Sequence, residues 1–133
     1  MSQVETDTGS QMIHTGKQMI RWPRATKTDD RLLSIIGHLC SQHLYLLDLL
    51  FDPNEPRLRR APEELLEESV NLSSGEDLLV RVALDLWSGS GNARIWELVE
   101  VLDGGNFINV LKALFELGPK IPGGWDGPVM RSR

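Results

Sequence analysis

Apolar residues between Leu32 and Phe51 recur at helical spacing and cover more of the helix circumference than one buried stripe would. Leu32, Ile36, Leu39, His43, Leu46 and Leu50 define one face, and Leu33, Ile35, Leu44, Leu47 and Phe51 widen it. A helix apolar on so many sides is either the centre of a bundle or a surface that meets a partner. Thr28, Asp29 or Asp30 is suited to cap it. Asp52-Pro53 stops it, because the residue before a proline avoids the helical region. One continuous helix over 30–51 is the expectation. Ser34, His38, Gln42, His43 and Asp48 interrupt its apolar character, which argues against a membrane span.

Further along, each helical pattern carries its own start and stop. Pro62 suits a first turn followed by Glu63 and Glu64, with Leu65, Leu66 and Val70 on the apolar side. Ser73 and Glu76 have capping-box spacing ahead of Leu78, Leu79, Val82, Ala83, Leu86 and Trp87, and the Ser88–Gly91 turn ends that helix. Asn92 is a cap for a helix holding Ile95, Trp96, Leu98, Val99 and Leu102. Asp103 or Asn106 caps a last helix with Phe107, Val110, Leu111, Leu114 and Leu117, stopped by Gly118-Pro119. No segment alternates long enough to predict a strand. The fold expected is all-α, a small bundle of about five helices over 29–118, with disordered tails at 1–28 and 119–133. Its core is expected from Ile36, Leu39, Leu46, Leu79, Val82, Leu86, Val99, Leu102, Val110, Leu111 and Leu114.

Charge limits the partners. Six basic and fourteen acidic side chains between Leu32 and Gly118 give that part −8, against +1 for residues 1–31 and +2 for 119–133. An acidic body repels phosphate backbones. The single cysteine, Cys40, excludes an internal disulfide, and with no apolar leader in the first thirty residues a reducing, cytoplasmic setting is the simplest expectation.

Several constellations resemble sites, and each has a plainer explanation. Cys40 and His43 share a helix face and could ligate one metal, but a structural zinc site closes with four ligands, and the other two are not visible. Gly89-Ser90-Gly91-Asn92 precedes a helix start, where anions bind, yet it lacks the lysine of a phosphate loop and a preceding strand. A calcium loop over 85–97 fails because Trp87, Gly89 and Gly91 stand where oxygen ligands are needed. The helices over 94–117 allow a helix-turn-helix with Asn106, Asn109, Lys112, Ala113 and Glu116 outward, but Lys112 and Glu116 cancel. Glu63, Glu64, Glu67 and Glu68 read as a solvated acidic face. Nothing resembles a nucleophile with its base. No enzyme activity, catalytic residue, cofactor or metal is expected.

What remains is a non-enzymatic protein–protein interaction module, regulatory, adaptor or inhibitory, whose partner is another protein. Self-association through the long helix is its simplest form, with Leu44, Leu47 and Phe51 as contacts. Trp22 and Trp125 in the tails, with Arg24 and the Arg57, Arg59 and Arg60 cluster, are the other expected anchors, since Trp and Arg are favoured at interfaces. Nucleic acid ranks second, through the helix pair at 94–117 and the basic stretch Lys17, Arg21, Arg24 and Lys27. A third alternative is an acidic protein that blocks a partner's nucleic-acid site.

Overall fold

A computed structural model describes residues 12–14 and 19–119. Among the described residues there are six helices and one small hairpin. Strands β1 (Met12–His14) and β2 (Met19–Arg21) pair antiparallel, with Ile13 opposite Ile20. Six helices follow: α1 (Lys27–Leu39), α2 (Tyr45–Leu50), α3 (Pro62–Ser69), α4 (Ser74–Ser88), α5 (Ile95–Val101) and α6 (Gly104–Leu117). The all-α bundle is as expected. The short hairpin lies in the stretch expected to be tail.

Most helix ends follow local chemistry. Pro62 opens α3 with Glu63 and Glu64 in the first turn. Ser73 and Glu76 form the expected reciprocal cap of α4. Gly89 ends α4 in the left-handed region, at φ 72°, where a side chain would be strained. Asp103 caps α6 by accepting the Asn106 N–H at 2.8 Å. The cap of α1 differs from expectation. Thr26 accepts from the Asp29 N–H and Asp29 returns a bond to the Thr26 N–H, so the helix begins ahead of Thr28.

The segment 30–51 is not one helix. It breaks at Cys40, where tight turns join His43 N–H to the Cys40 carbonyl and Ser41 N–H to that of His38. The three polar residues Ser41, Gln42 and His43 give the core nothing to hold there. The break lets two sets of apolar side chains enter one interior. Leu33, Ile36, Leu39 and Cys40 come from α1 and its end, and Leu46, Leu47, Leu50 and Phe51 from α2 and its end. The apolar breadth that predicted an interface helix is consumed by this bend. Leu47 and Phe51 are fully buried, so they are not partner contacts; Leu44 alone of the three reaches solvent.

α4 lies at the centre, packed against α1, α2, α3 and α5, and it buries Leu78, Leu79, Val80, Val82, Ala83 and Leu84. Trp22 joins this core instead of standing in a free tail. Its ring meets Phe51 and Trp87 edge-on at 5.5 and 5.8 Å, and its Nε1–H donates to the Asp52 carbonyl at 2.8 Å. The β2 backbone is also tied in, because the Arg21 N–H donates to the Pro53 carbonyl. With Ile20 and Trp22 buried, the helical domain starts before residue 29. Of the expected core, Ile36, Leu39, Leu46, Leu79, Val82, Leu102 and Val110 are buried, whereas Val99 and Leu114 are exposed. Among the described residues, no helix is long and apolar enough to cross a membrane.

Candidate functional site

Arg81, on the middle of α4, organises the surface around α5. Its Nη1 and Nη2 donate to the two carboxylate oxygens of Glu97 at 3.0 and 2.9 Å, a bidentate pair. Nε also reaches Asp77 at 3.4 Å, and Nη1 donates to the Asn92 carbonyl at 3.2 Å. Asp77 in turn accepts from the Ser69 hydroxyl at 2.5 Å. The chain Glu97–Arg81–Asp77–Ser69 thus crosses from α5 through α4 to α3. The Arg81 and Glu97 side chains are 20% and 18% exposed, so water and salt screen them less than an open surface pair.

Asp85 supplies the second fastening. One carboxylate oxygen accepts the N–H groups of Gly91 and Asn92 at 2.8 and 3.0 Å, and the other accepts that of Ala93 at 2.9 Å. The turn that resembled an anion site is already filled by the protein's own carboxylate. Its free donors are not available to a phosphate. Gly91 is buried and lies against the α4 backbone at Arg81.

These bonds hold α5 while leaving its outer face bare. None of its seven residues is buried. Ile95, Trp96 and Val99 are 79%, 59% and 61% exposed. Their spacing puts them on one side of the helix, and Glu97 lies on the other, toward Arg81. Leu98 packs from the flank as a partly buried contributor to the core. Large contiguous apolar surface on a folded chain marks a contact site more often than scattered single residues do.

Glu97 is held below the usual carboxylate range, first by the Arg81 hydrogen bonds and then by the Arg94 N–H. A depressed folded-state pKa means that the ionised pair stabilises the fold above the unfolded pKa and stops doing so as pH falls through the folded one. Urea midpoints of the wild type and of Glu97→Gln, compared from pH 7 to pH 3, are expected to differ most near neutrality and to converge in acid. A difference independent of pH would show that the pair contributes nothing through its charge. Asp52 is also held low, chiefly by the Asn54 N–H, but this contribution is common to both proteins and cancels.

The expected anchors lie elsewhere and are mostly engaged. Arg24 pairs with Glu55 and Arg60 with Glu68. Arg57 is 3.3 Å from Asp52, and Arg59 Nε donates to the Asp48 carbonyl at 2.7 Å. The arginine cluster therefore fixes the 52–61 loop to its surroundings. Trp125 and Lys17 lie outside the described residues, as do 1–11, 15–18 and 120–133 of the two expected tails. The face of α6 expected to point outward is divided, with Lys112 and Glu116 exposed. Asn106 and Ala113 are buried, and Asn109 Nδ2 donates to the Ser41 hydroxyl at 3.3 Å. With Asn106 buried, one of the two Asn side chains expected to read bases is enclosed by the fold. Glu63, Glu64 and Glu67 remain exposed on α3, as an acidic face would be.

Cys40 is fully buried and its thiol is pushed up to about 12 by burial. His43 Nδ1 stands 3.4 Å from a Glu76 carboxylate oxygen. Among the described residues, no group of three or more His, Cys, Asp or Glu side chains could hold a metal ion. Asp30 is shifted up by burial and by neighbouring Asp29, and its buried Oδ1 has no hydrogen-bond partner.

Sequence reasoning missed Arg81 and the exposure of α5. An Arg four residues after an Asp on a helix is a local signal, and Asp77 and Arg81 carry it. The partner sixteen residues on, Glu97, has no such signal. Comparison of the chain with protein-family models, with curated proteins and with solved structures gives no match.

Proposed function

We propose that the chain is a non-enzymatic protein-binding module, regulatory or adaptor in role, whose contact surface is the outer face of α5. The observation that supports this reading is the exposure of Ile95, Trp96 and Val99 on a helix fastened from behind by Arg81 and Asp85. A face held in place before contact loses less conformational entropy on binding. Trp, which this face carries in Trp96, is among the residue types most often found to dominate interface energetics. The contact surface moves from the long-helix residues to α5, and the class of function stays the same. A buried, unreactive Cys40 accords with a cytoplasmic setting, which we propose as well.

The test is affinity capture from the native source with the wild type and with a variant carrying Ile95→Ser, Trp96→Ser and Val99→Ser. All three side chains are exposed, so unchanged far-ultraviolet circular dichroism is expected for the variant. Partners retained by the wild type and lost by the variant would support the reading. Partners bound equally by both would refute α5 as the contact surface.

A further inference from the structure

We infer that the segment 90–101 is a strap that opens from α4 as one unit while the rest of the fold stays closed. The first support is how the strap is held. None of the seven α5 residues is buried, and Ala93 and Leu98 are only partly buried against the core. Little apolar surface therefore opposes opening. The holding bonds are polar and converge on two side chains of one helix. Arg81 donates to Glu97 and to the Asn92 carbonyl, and Asp85 accepts the N–H groups of Gly91, Asn92 and Ala93. Water takes over these partners once the strap lifts, so each bond contributes far less than its strength in isolation. Regions with few buried apolar contacts and hydrogen bonds near solvent are those that open at a free energy below that of global unfolding.

The second support is what lies around the strap. α1, α2 and α3 pack on α4, and α6 packs on α1. These contacts do not run through α5, so lifting it leaves them in place. On one side the strap leaves α4 at Gly89, which sits in the left-handed region that glycine enters without strain. On the other, Leu102 departs from α5 in extended backbone and remains among the core residues. Each end thus has a short stretch whose dihedrals can absorb the motion. The closed form is the resting one and presents Ile95, Trp96 and Val99. The open form adds Leu98 to that set and releases the Arg81 guanidinium from Glu97. The inference stands whether or not α5 meets a partner, because it concerns only how the strap is attached.

Amide hydrogen exchange of the full chain in low concentrations of urea tests this. The amides of Gly91, Asn92, Ala93, Glu97 and Leu98 are all hydrogen-bonded in the closed form. They should share one opening free energy and one shallow dependence on urea, because a small unit exposes little surface. Their protection is expected at roughly 10²–10⁴-fold, and at least about tenfold below that of the buried α4 amides from Leu79 to Ala83. Two variants then test whether the strap moves as a unit. Glu97→Gln should speed exchange at Gly91, Asn92 and Ala93 as well as within α5, by about tenfold, since a charge-assisted pair is weakened. Asp85→Asn should do the same at Glu97 and Leu98, although its own bonds lie at 91–93. Effects confined to the amides beside each substitution would overturn the single unit. Strap amides with the free energy and urea dependence of the α4 core would overturn the inference outright, since they would open only when the whole chain unfolds. That comparison needs only the wild type, so it decides even where a variant fails to fold.

Discussion

Replacing Trp22 with alanine is expected to lower the unfolding free energy by about 3–5 kcal/mol, the range found when a large aromatic side chain is removed from a packed core. The indole is buried among Phe51 and Trp87, and the Phe51 and Trp87 rings are themselves 5.1 Å apart. Its removal leaves a cavity that two rigid neighbours cannot easily fill. It also removes the donor to the Asp52 carbonyl. Domains of ordinary stability have about 5–15 kcal/mol in total, so the variant should sit near the edge of folding at room temperature. Trp22→Phe separates the two contributions. It keeps most of the ring packing and loses the N–H, so a smaller loss of about 1–2 kcal/mol is expected. Urea denaturation followed by circular dichroism measures both. A Trp22→Ala midpoint within error of the wild type would place the residue in a free tail, as its sequence neighbourhood suggests.

That neighbourhood explains why Trp22 was illegible. The stretch Ile20 to Trp22 is too short to show alternation, and polar and proline residues surround it. Its burial depends on Phe51 and Trp87, far along the chain, which no local pattern reports. Helix ends were legible for the opposite reason. Pro62, the Ser73–Glu76 pair, Gly89 and Asp103 act on backbone groups within a few residues, so their chemistry is complete in the local sequence. The 32–51 run was legible as apolar and helical but ambiguous in shape. Wide apolar coverage suits an exposed interface helix and a bent pair of helices equally, and polar Ser41 to His43 decided for the bend.

α5 shows the same ambiguity at smaller scale. Ile95, Leu98, Val99 and Leu102 have the i, i+3, i+4, i+7 spacing of a single stripe, yet Leu102 is buried and Leu98 partly buried while Ile95 and Val99 are exposed. Seven residues, with Leu102 already past the helix end as its C-cap, are too few for that spacing to fix which part of the stripe meets the core. Glu97 is paired with Arg81 on α4, and Val99 stands exposed on the same short helix. The helix that carries the surface on which the proposed function rests is thus fastened in part by an ion pair formed across sixteen residues, which no local pattern reports. Leu114 is exposed on α6, whose buried positions are instead Asn106, Val110 and Ala113. An Asn at the start of that stripe conceals it from a search for apolar spacing.

Gly91→Ala should disturb this arrangement most directly. A Cβ at Gly91 would lie 1.7 Å from the Arg81 carbonyl oxygen and 2.6 Å from its carbon. Both atoms belong to the helix backbone, so no side chain can swing aside to make room. The 91–93 segment must lift from α4, which draws its N–H groups away from the Asp85 carboxylate and pulls Glu97 off Arg81. Overpacking with a forced backbone shift costs about 1–3 kcal/mol or more, and loss of the Asp85 bonds adds to it, so a loss of about 3 kcal/mol or more is expected. Gly75→Ala is the matched control. It lies in the first turn of α4 with nothing within 4 Å of its added Cβ, so neutral or improved stability is expected there. Denaturation midpoints give the two free energies, and amide hydrogen exchange at Gly91, Asn92 and Ala93 locates the damage. Faster exchange confined to those amides and α5, with the α1–α4 core still protected, would tie the loss to the fastening of the exposed face. An alanine at position 91 as stable as glycine would mean that the turn does not approach Arg81 this closely, and the rigid presentation of Ile95, Trp96 and Val99 would lose its physical basis.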